Sequence, residues 1–251
     1  MKLSVIMPVY NRERYVVSAL RSLVRQSDAA DLDIIVIDDG STDGSAEAVR
    51  SMMVENPCIR LFRQENMGVA KTRNAGLRQL PADAEFVSFL DSDDISLAER
   101  FKTDLAHFRA TPSLELTYSL MTLADRIDDE RLEPTVDSRI VTLRGISLST
   151  AMFRRRLVER TGQFDEEFEQ SEDTDYLLRV FERGPNYELL DTVAIYYRRH
   201  AGNVTREHGD RVRNHLRAIH KSIRRRKADP SLREIPGIFE MKSPLNDWPT
   251  T

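Results

Sequence analysis

The sequence predicts an α/β fold: an open, twisted, mostly parallel sheet flanked by helices, followed by a helical C-terminal tail. Three observations predict it. Apolar runs of strand length alternate with segments of helical periodicity from Leu3 to Leu90. Three of those runs end in polar clusters, at Tyr10 to Asn11, Asp38 to Asp43 and Asp91 to Asp94. The length, 251 residues, suits one large α/β domain or one domain with a smaller appendage.

Leu3 to Val9 is a compact β-rich run of the kind that forms a strand buried on both faces. Asn11 offers a helix N-cap, and Tyr15, Val16, Ala19, Leu20, Leu23 and Val24 recur behind it at helical spacing. LDIIVI, Leu32 to Ile37, is a second buried strand, and the turn-rich DDGSTDGS leads from it into a helix carrying Ala46, Val49 and Met53. A short strand at Ile59 to Phe62, a helix from Val69 to Leu80 and a strand from Phe86 to Leu90 complete the alternating part.

The second half is less periodic. It predicts a helix from Ile95 to Phe108, a strand near Leu114 to Leu120, and a surface excursion over the acidic stretch Asp125 to Asp137. Val141 to Met152 returns toward the sheet. After QFDEEFEQSEDTD, the residues Tyr176, Leu177, Val180 and Phe181 mark a helix, and Tyr187 to Tyr197 a strand. From Glu207 the chain reads as a basic helix, then as a Pro-punctuated tail.

Composition excludes several classes. A formal charge of -4 argues against a globally basic nucleic-acid binder. Cys58 is the only cysteine, so an internal disulfide and a thiolate metal cluster are both excluded. A lone thiol fits a reducing compartment. The apolar run at the N-terminus is too short for a secretion signal, and no stretch approaches the roughly 20 residues that span a bilayer. A cytoplasmic protein is expected.

The polar clusters lie where open α/β sheets bind ligands, at the carboxyl ends of strands. Asp91 and Asp93, with Ser92 between them and Asp94 beside them, crowd carboxylates that repel unless a cation neutralises them. The same spacing also makes an Asx turn that caps the next helix. Asp38, Asp39, Gly40 and Ser41 would hydrogen-bond a ribose or base, or simply form a tight turn. NMGVAKTRNAG, Asn66 to Gly76, sets Lys71 and Arg73 near a helix start, which favours phosphate; a capped helix with a cationic face has the same sequence. It is no P-loop, since G-x-x-x-x-G-K-[ST] is absent. Glu172, Asp173 and Asp175 precede an amphipathic helix, where the helix dipole favours carboxylates and where a proton-accepting base can also sit.

Together these pieces resemble the family 2 glycosyltransferases, the large inverting group with the A-type nucleotide-sugar-binding fold. The motifs occur in family order: PVYN at Pro8 to Asn11, DDGSTD at Asp38 to Asp43, N-x-G-x-x-x-x-R-N-x-G at Asn66 to Gly76, DSDD at Asp91 to Asp94, and ED at Glu172 to Asp173. They cover about the first 205 residues. The resemblance implies a catalytic domain over 1–205, with a nucleotide-sugar half at 1–94 and an acceptor half at 95–205, and a basic helical extension at 206–251. It implies that the backbone of Pro8, Val9, Tyr10 and Asn11, together with Asp39, holds the nucleotide base and ribose. Lys71, Arg73, Asp91 and Ser92 complete the donor site. Asp93 is the expected direct metal ligand, for Mn2+ or Mg2+, and Asp173 the expected base. His200, in YYRRHAGNVT, stands where the family often carries a histidine that reaches the metal or diphosphate.

The implied reaction is metal-dependent transfer of a single sugar from a nucleotide-diphosphate donor, such as a UDP-sugar, to a glycan, lipid-linked or protein acceptor, with inversion. Processive members carry Q-x-x-R-W and membrane helices; here the only tryptophan, Trp248, lies in the tail without a preceding arginine. A nucleotidyltransferase is the rival enzyme, but its Gly-rich first loop is replaced by PVYNRERY. A non-catalytic binding or scaffold protein that keeps the fold is the rival outside enzymes. The tail, with Arg211, Arg213, Arg217, Lys221 and Arg224 to Lys227, reads as a solvated helix or as a peripheral contact with anionic lipid or an acidic partner. Oligomerisation is left open.

Overall fold

The structure, a computed structural model, describes residues 1–200 and 208–239. The expected domain boundary at residue 205 and Trp248 lie outside the described residues. A mixed sheet runs through the molecule. Its parallel part comprises β1 (Lys2–Val9), β2 (Asp31–Asp38), β3 (Ile59–Arg63) and β4 (Phe86–Phe89), in the order β3-β2-β1-β4. Between them run α1 (Val16–Val24), α2 (Ser45–Glu55) and α3 (Val69–Arg78). The chain proceeds outward from β1 on one side and returns to its other side at β4. That makes β1 the switch point, and sheets of this kind form a ligand crevice beyond the carboxyl ends of the strands at such a point.

β1 is sandwiched because its side chains alternate between two cores. Leu3, Val5, Met7 and Val9 face one core with Val16, Leu20 and Leu23 of α1, whereas Ile6 faces the other with Ala70 of α3. Both faces are dry, which is why the strand reads as a continuous apolar run rather than as alternation. α3 approaches this strand closely. A Cβ built on Gly76 would lie 2.4 Å from Ile6 Cγ2, so glycine is the residue that lets helix and strand pack here.

The second half continues the same sheet with mixed directions. β5 (Ile95–Ser96) and α4 (Arg100–Ala110) follow the DSDD loop; β6 (Leu116–Ala124), β7 (Ile127–Asp128), β8 (Glu133–Pro134), β9 (Ile140–Leu143) and β10 (Ala151–Arg154) come next. α5 (Arg155–Thr161), α6 (Glu172–Glu182), β11 (Tyr187–Arg198) and α7 (His208–Ala228) complete the described chain. β10 runs antiparallel between β4 and β6, and β11 lies parallel to β6 and antiparallel to β5. The acidic excursion contains the small β7–β8 hairpin.

Three local expectations are corrected. Asn11 does not cap the first helix: its φ is +50°, and Tyr15 is the N-cap residue. Its side chain instead accepts from Thr42 N at 2.8 Å. The helix expected from Ile95 starts only at Arg100, because Ile95 and Ser96 pair with Tyr196 and Ile195. Nor is the basic helix simply solvated. α7 lies on α6 and the loop before it, with Ala218 and Ser222 buried, Lys221 on Asp165 at 2.6 Å and Arg225 on Asp175 at 2.8 Å. Among the described residues, no helix is long and apolar enough to cross a membrane.

Candidate functional site

The first two motifs form one stitched rim at the carboxyl end of the parallel strands. Val9 pairs with Asp38, so the loops that leave β1 and β2 emerge side by side. Asn11 N donates to Ser41 Oγ at 3.0 Å, Arg12 N to Ser45 Oγ at 2.7 Å, and Gly44 N to Glu13 Oε2 at 3.0 Å. Gly40 turns the second loop with φ +75°, a left-handed conformation that glycine adopts without steric cost. Tyr10 projects outward, 45% exposed, while Val9 is buried and Pro8 half-buried beneath it.

Asp39 binds the third motif. Its carboxylate accepts from Gln64 Nε2 at 2.7 Å, Met67 N at 3.0 Å and Gly68 N at 2.9 Å. Three of roughly four carboxylate lone-pair positions are therefore occupied by the loop that enters α3. That loop aligns α3, whose first turn carries the half-buried Lys71 and, further in, the buried Arg73.

Arg73 is the hinge of the site. It lies beneath the crevice, 4% exposed, with Nη2 donating to Asp91 Oδ1 at 2.7 Å and Nη1 in contact with Glu172 Oε1. Burial works against its charge, but Asp91 and Glu172 outweigh it and raise its pKa. It thereby joins the DSDD loop to the first turn of α6. Burial pushes the Glu172 carboxyl up to about 7, opposed by Arg73. Ser171, the N-cap of α6, has φ +66°; holding a non-glycine residue there costs on the order of 1–3 kcal/mol, and the turn it makes brings Glu172 to Arg73. Asp173 is partly exposed beside Glu172, and its Oδ1 accepts from Thr174 N at 2.6 Å. Burial, helped by the nearby Asp91 charge and opposed by Arg73, raises its pKa above the ordinary aspartate value. Asp175, fully buried, points away to Arg179 and Arg225.

On the other side of the crevice, Asp93 Oδ2 meets Arg12 Nε at 3.1 Å and His200 Nε2 at 3.0 Å. Burial opposes its ionisation, yet these two partners hold the Asp93 pKa below the ordinary value. β11 delivers this end of the site: Arg198 N donates to Asp94 Oδ1 at 3.0 Å and Arg198 Nε to Asp93 O at 2.9 Å. Tyr15 fixes the neighbouring groups, its ring 4.7 Å from that of His200 and 4.8 Å from the Arg198 guanidinium. Asp94, buried next to two other aspartates, has its pKa raised well above normal, first by burial and then by Asp93 and Asp91. Ser92 is buried within the same loop.

Residues 4–116 match the model of Glycosyl transferase family 2, and they include four of the five motifs. Over these residues the chain is similar to this glycosyltransferase family. Chondroitin synthase of Escherichia coli is 26% identical over 227 residues, covering 88% of this chain and 32% of that protein. The poly(ribitol-phosphate) β-N-acetylglucosaminyltransferase TarS of Staphylococcus aureus is 29% identical over 208 residues, covering 78% of this chain and 35% of TarS. The crystal structure of TarS 1-349 in complex with UDP aligns at TM-score 0.60 and 26% identity, over 79% of this chain and 61% of that one. A Pyrobaculum calidifontis mannosyltransferase, in complex with GDP-Man and Mn2+, aligns at TM-score 0.70 and 21% identity, over 91% of this chain and 66% of that one, and so shares the A-type fold. The chain spans 32%, 62% and 48% of the length of the first three curated relatives.

The geometry adds residues that the motifs did not single out. Arg12 follows the PVYN motif, yet no spacing rule ties it to Asp93, 81 positions away. Glu172 appears in the ED pair, but its contact with Arg73 spans 99 positions. Arg198 had no local signal either. What could have flagged Arg12 is chemistry alone: a cation in the loop next to a site already crowded with carboxylates. As for a metal, no group of three His, Cys, Asp or Glu side chains converges among the described residues. Asp93 and His200 supply a carboxylate and an imidazole at one place. Mg2+ and similar ions commonly bind through one or two protein groups and complete their shell with phosphate oxygens and water. The donor set fits such an ion when a diphosphate accompanies it.

Proposed function

We propose that this glycosyltransferase moves a single sugar from a nucleotide-diphosphate donor, a UDP-sugar, onto an acceptor hydroxyl of a glycan, lipid-linked or protein substrate, with inversion and with a divalent metal. The observation that carries this reading is the ring of charge at the switch point: Asp91, Arg73 and Glu172 joined on one side, Arg12, Asp93 and His200 on the other, and Asp173 partly exposed beside them. The UDP complex of TarS and the GDP-Man and Mn2+ complex of the mannosyltransferase support the donor and metal assignments.

In this reading Pro8 to Asn11, with Asp39, border the base and ribose, and Asp91 and Ser92 the ribose and diphosphate. Lys71 adds positive charge at the start of α3. Asp173 accepts the proton of the acceptor hydroxyl as its oxygen attacks the anomeric carbon; the bond from that carbon to the diphosphate breaks in line, and the configuration inverts. A carboxyl held above its ordinary pKa is a stronger base for this step once ionised. Arg73 keeps the base-bearing turn and the DSDD loop in register. Asp93 and His200 would hold the metal, which would supply neutralisation of the charge that develops on the departing diphosphate. Arg12, paired with Asp93, adds a cation to the same side of the site.

The test is calorimetric titration of the full chain with UDP, with and without Mn2+. Binding is expected to strengthen with Mn2+ in the native sequence, and Asp93→Ala is expected to abolish that metal-dependent gain. An unchanged gain in Asp93→Ala would contradict the metal role. A panel of UDP- and GDP-sugars in a donor hydrolysis assay then identifies the sugar.

A further inference from the structure

α7 has two faces, and among the described residues only one of them meets the domain. The inner face carries Ala218 and Ser222, both buried, with Lys221 and Arg225 reaching the carboxylates of Asp165, Asp175 and Glu182. Val212, Leu216, Ile219 and Ile223 lie elsewhere, 51%, 59%, 37% and 39% exposed. At about 100° per residue the four fall within an arc of about 60°, so they form one continuous stripe. Large apolar side chains on a helix are normally turned inward; a stripe turned outward needs an occupant.

Charge decides which. From Val212 to Ala228 the helix has no acidic residue and seven Lys or Arg. Arg217, Lys221 and Arg225 are matched by carboxylates of the domain. The same helical geometry puts His220, Arg224 and Lys227 on one side of the stripe and His215 and Arg226 on the other. In a second copy of α7 packed along the stripe, these flanks would meet only cations and neutral groups, and like charges repel across such a seam. An anionic lipid surface answers both features at once: acyl chains for the stripe and headgroups for its flanks.

We propose that the outer face of α7 is a peripheral binding surface for anionic lipid bilayers, seated by Leu216, Ile219 and Ile223 and by Arg224 and Lys227. It stands on geometry and charge independent of the donor chemistry. The inner face holds the loop at Asp165 to Phe168 and, through Asp175, the helix that bears Asp173, so the bound bilayer lies on the element next to the acceptor side.

The test is co-sedimentation of the full chain with vesicles of phosphatidylcholine alone or of equal parts phosphatidylcholine and phosphatidylglycerol. The protein is expected to pellet with the mixed vesicles, to stay in solution with the neutral ones, and to be released as salt is raised. L216E/I223E and R224E/K227E are each expected to lower partitioning by roughly tenfold or more, from lost apolar burial and from lost attraction respectively. These four side chains are exposed or flank the stripe, so thermal unfolding is expected to stay unchanged. Equal partitioning onto both vesicle types, no partitioning onto either, or partitioning unaffected in both double variants would overturn the proposal. So would a dimer in analytical ultracentrifugation that dissociates in L216E/I223E without any vesicle binding, since the stripe would then belong to a second copy.

Discussion

The two halves of the sheet assemble their parts of the site in different ways. In the parallel half, each site residue follows the carboxyl end of the strand or the start of the helix that positions it: Tyr10 after β1, Asp39 after β2, Arg73 in α3, Asp91 after β4. The loops there are tied to neighbours through short hydrogen bonds, and the strand register puts them side by side. In the mixed half, the residues arrive from distant sequence. β11 brings Arg198 and His200 to Asp94 and Asp93, and Arg73 reaches across to Glu172 at the head of α6. The difference teaches that one half of the site is held by repeating architecture, and the other by a few long-range polar contacts.

The largest effect is expected where the halves meet. Arg73→Ala leaves Glu172 buried without its cation and frees Asp91, so it should destabilise the protein by about 3–5 kcal/mol, read from urea unfolding. A cost below about 1 kcal/mol would mean that the halves are joined elsewhere. Gly76→Ala tests the stiffness of the parallel half: the new methyl meets Ile6, a fully buried strand residue, and should cost about 1–3 kcal/mol. A neutral outcome would show that helix and strand can separate there cheaply. Lys221→Ala removes a partly exposed ion pair from the α7 contact and should cost less than about 1 kcal/mol in thermal or urea unfolding. A larger loss would make α7 a structural partner equal to the core.

The same contrast governs what could be read from the sequence. β1, β2 and β4 were legible because strands buried on both faces are uninterrupted apolar runs and each ends in a polar cluster. α6 and β11 were legible as elements through Tyr176, Leu177, Val180 and Phe181 and through the run from Tyr187. Their positions in the site were not, since nothing near Glu172 or His200 states which strand end they face. The start of α4 is hidden for a similar reason: Ile95 and Ser96 look helical in isolation, but the edge of β11 offers backbone partners that local pattern does not reveal. Asn11 has the sequence signature of a helix cap, but its side chain serves the neighbouring loop at Thr42 instead of a helix end. Arg12 was missed because ion pairing is set by the third dimension.

In the proposed reaction Asp173, on the half of the site held by long-range contacts, acts as the base for a donor bound by the other half. Asp173→Asn tests it most directly, with sugar transfer and UDP binding measured on the same preparation. Transfer is expected to fall by at least about 100-fold, with UDP affinity retained and with loss of the acidic limb of the kcat/KM profile, which should lie above the ordinary aspartate pKa of 3.8 in the native enzyme. Near-normal transfer with an unchanged pH profile would contradict it.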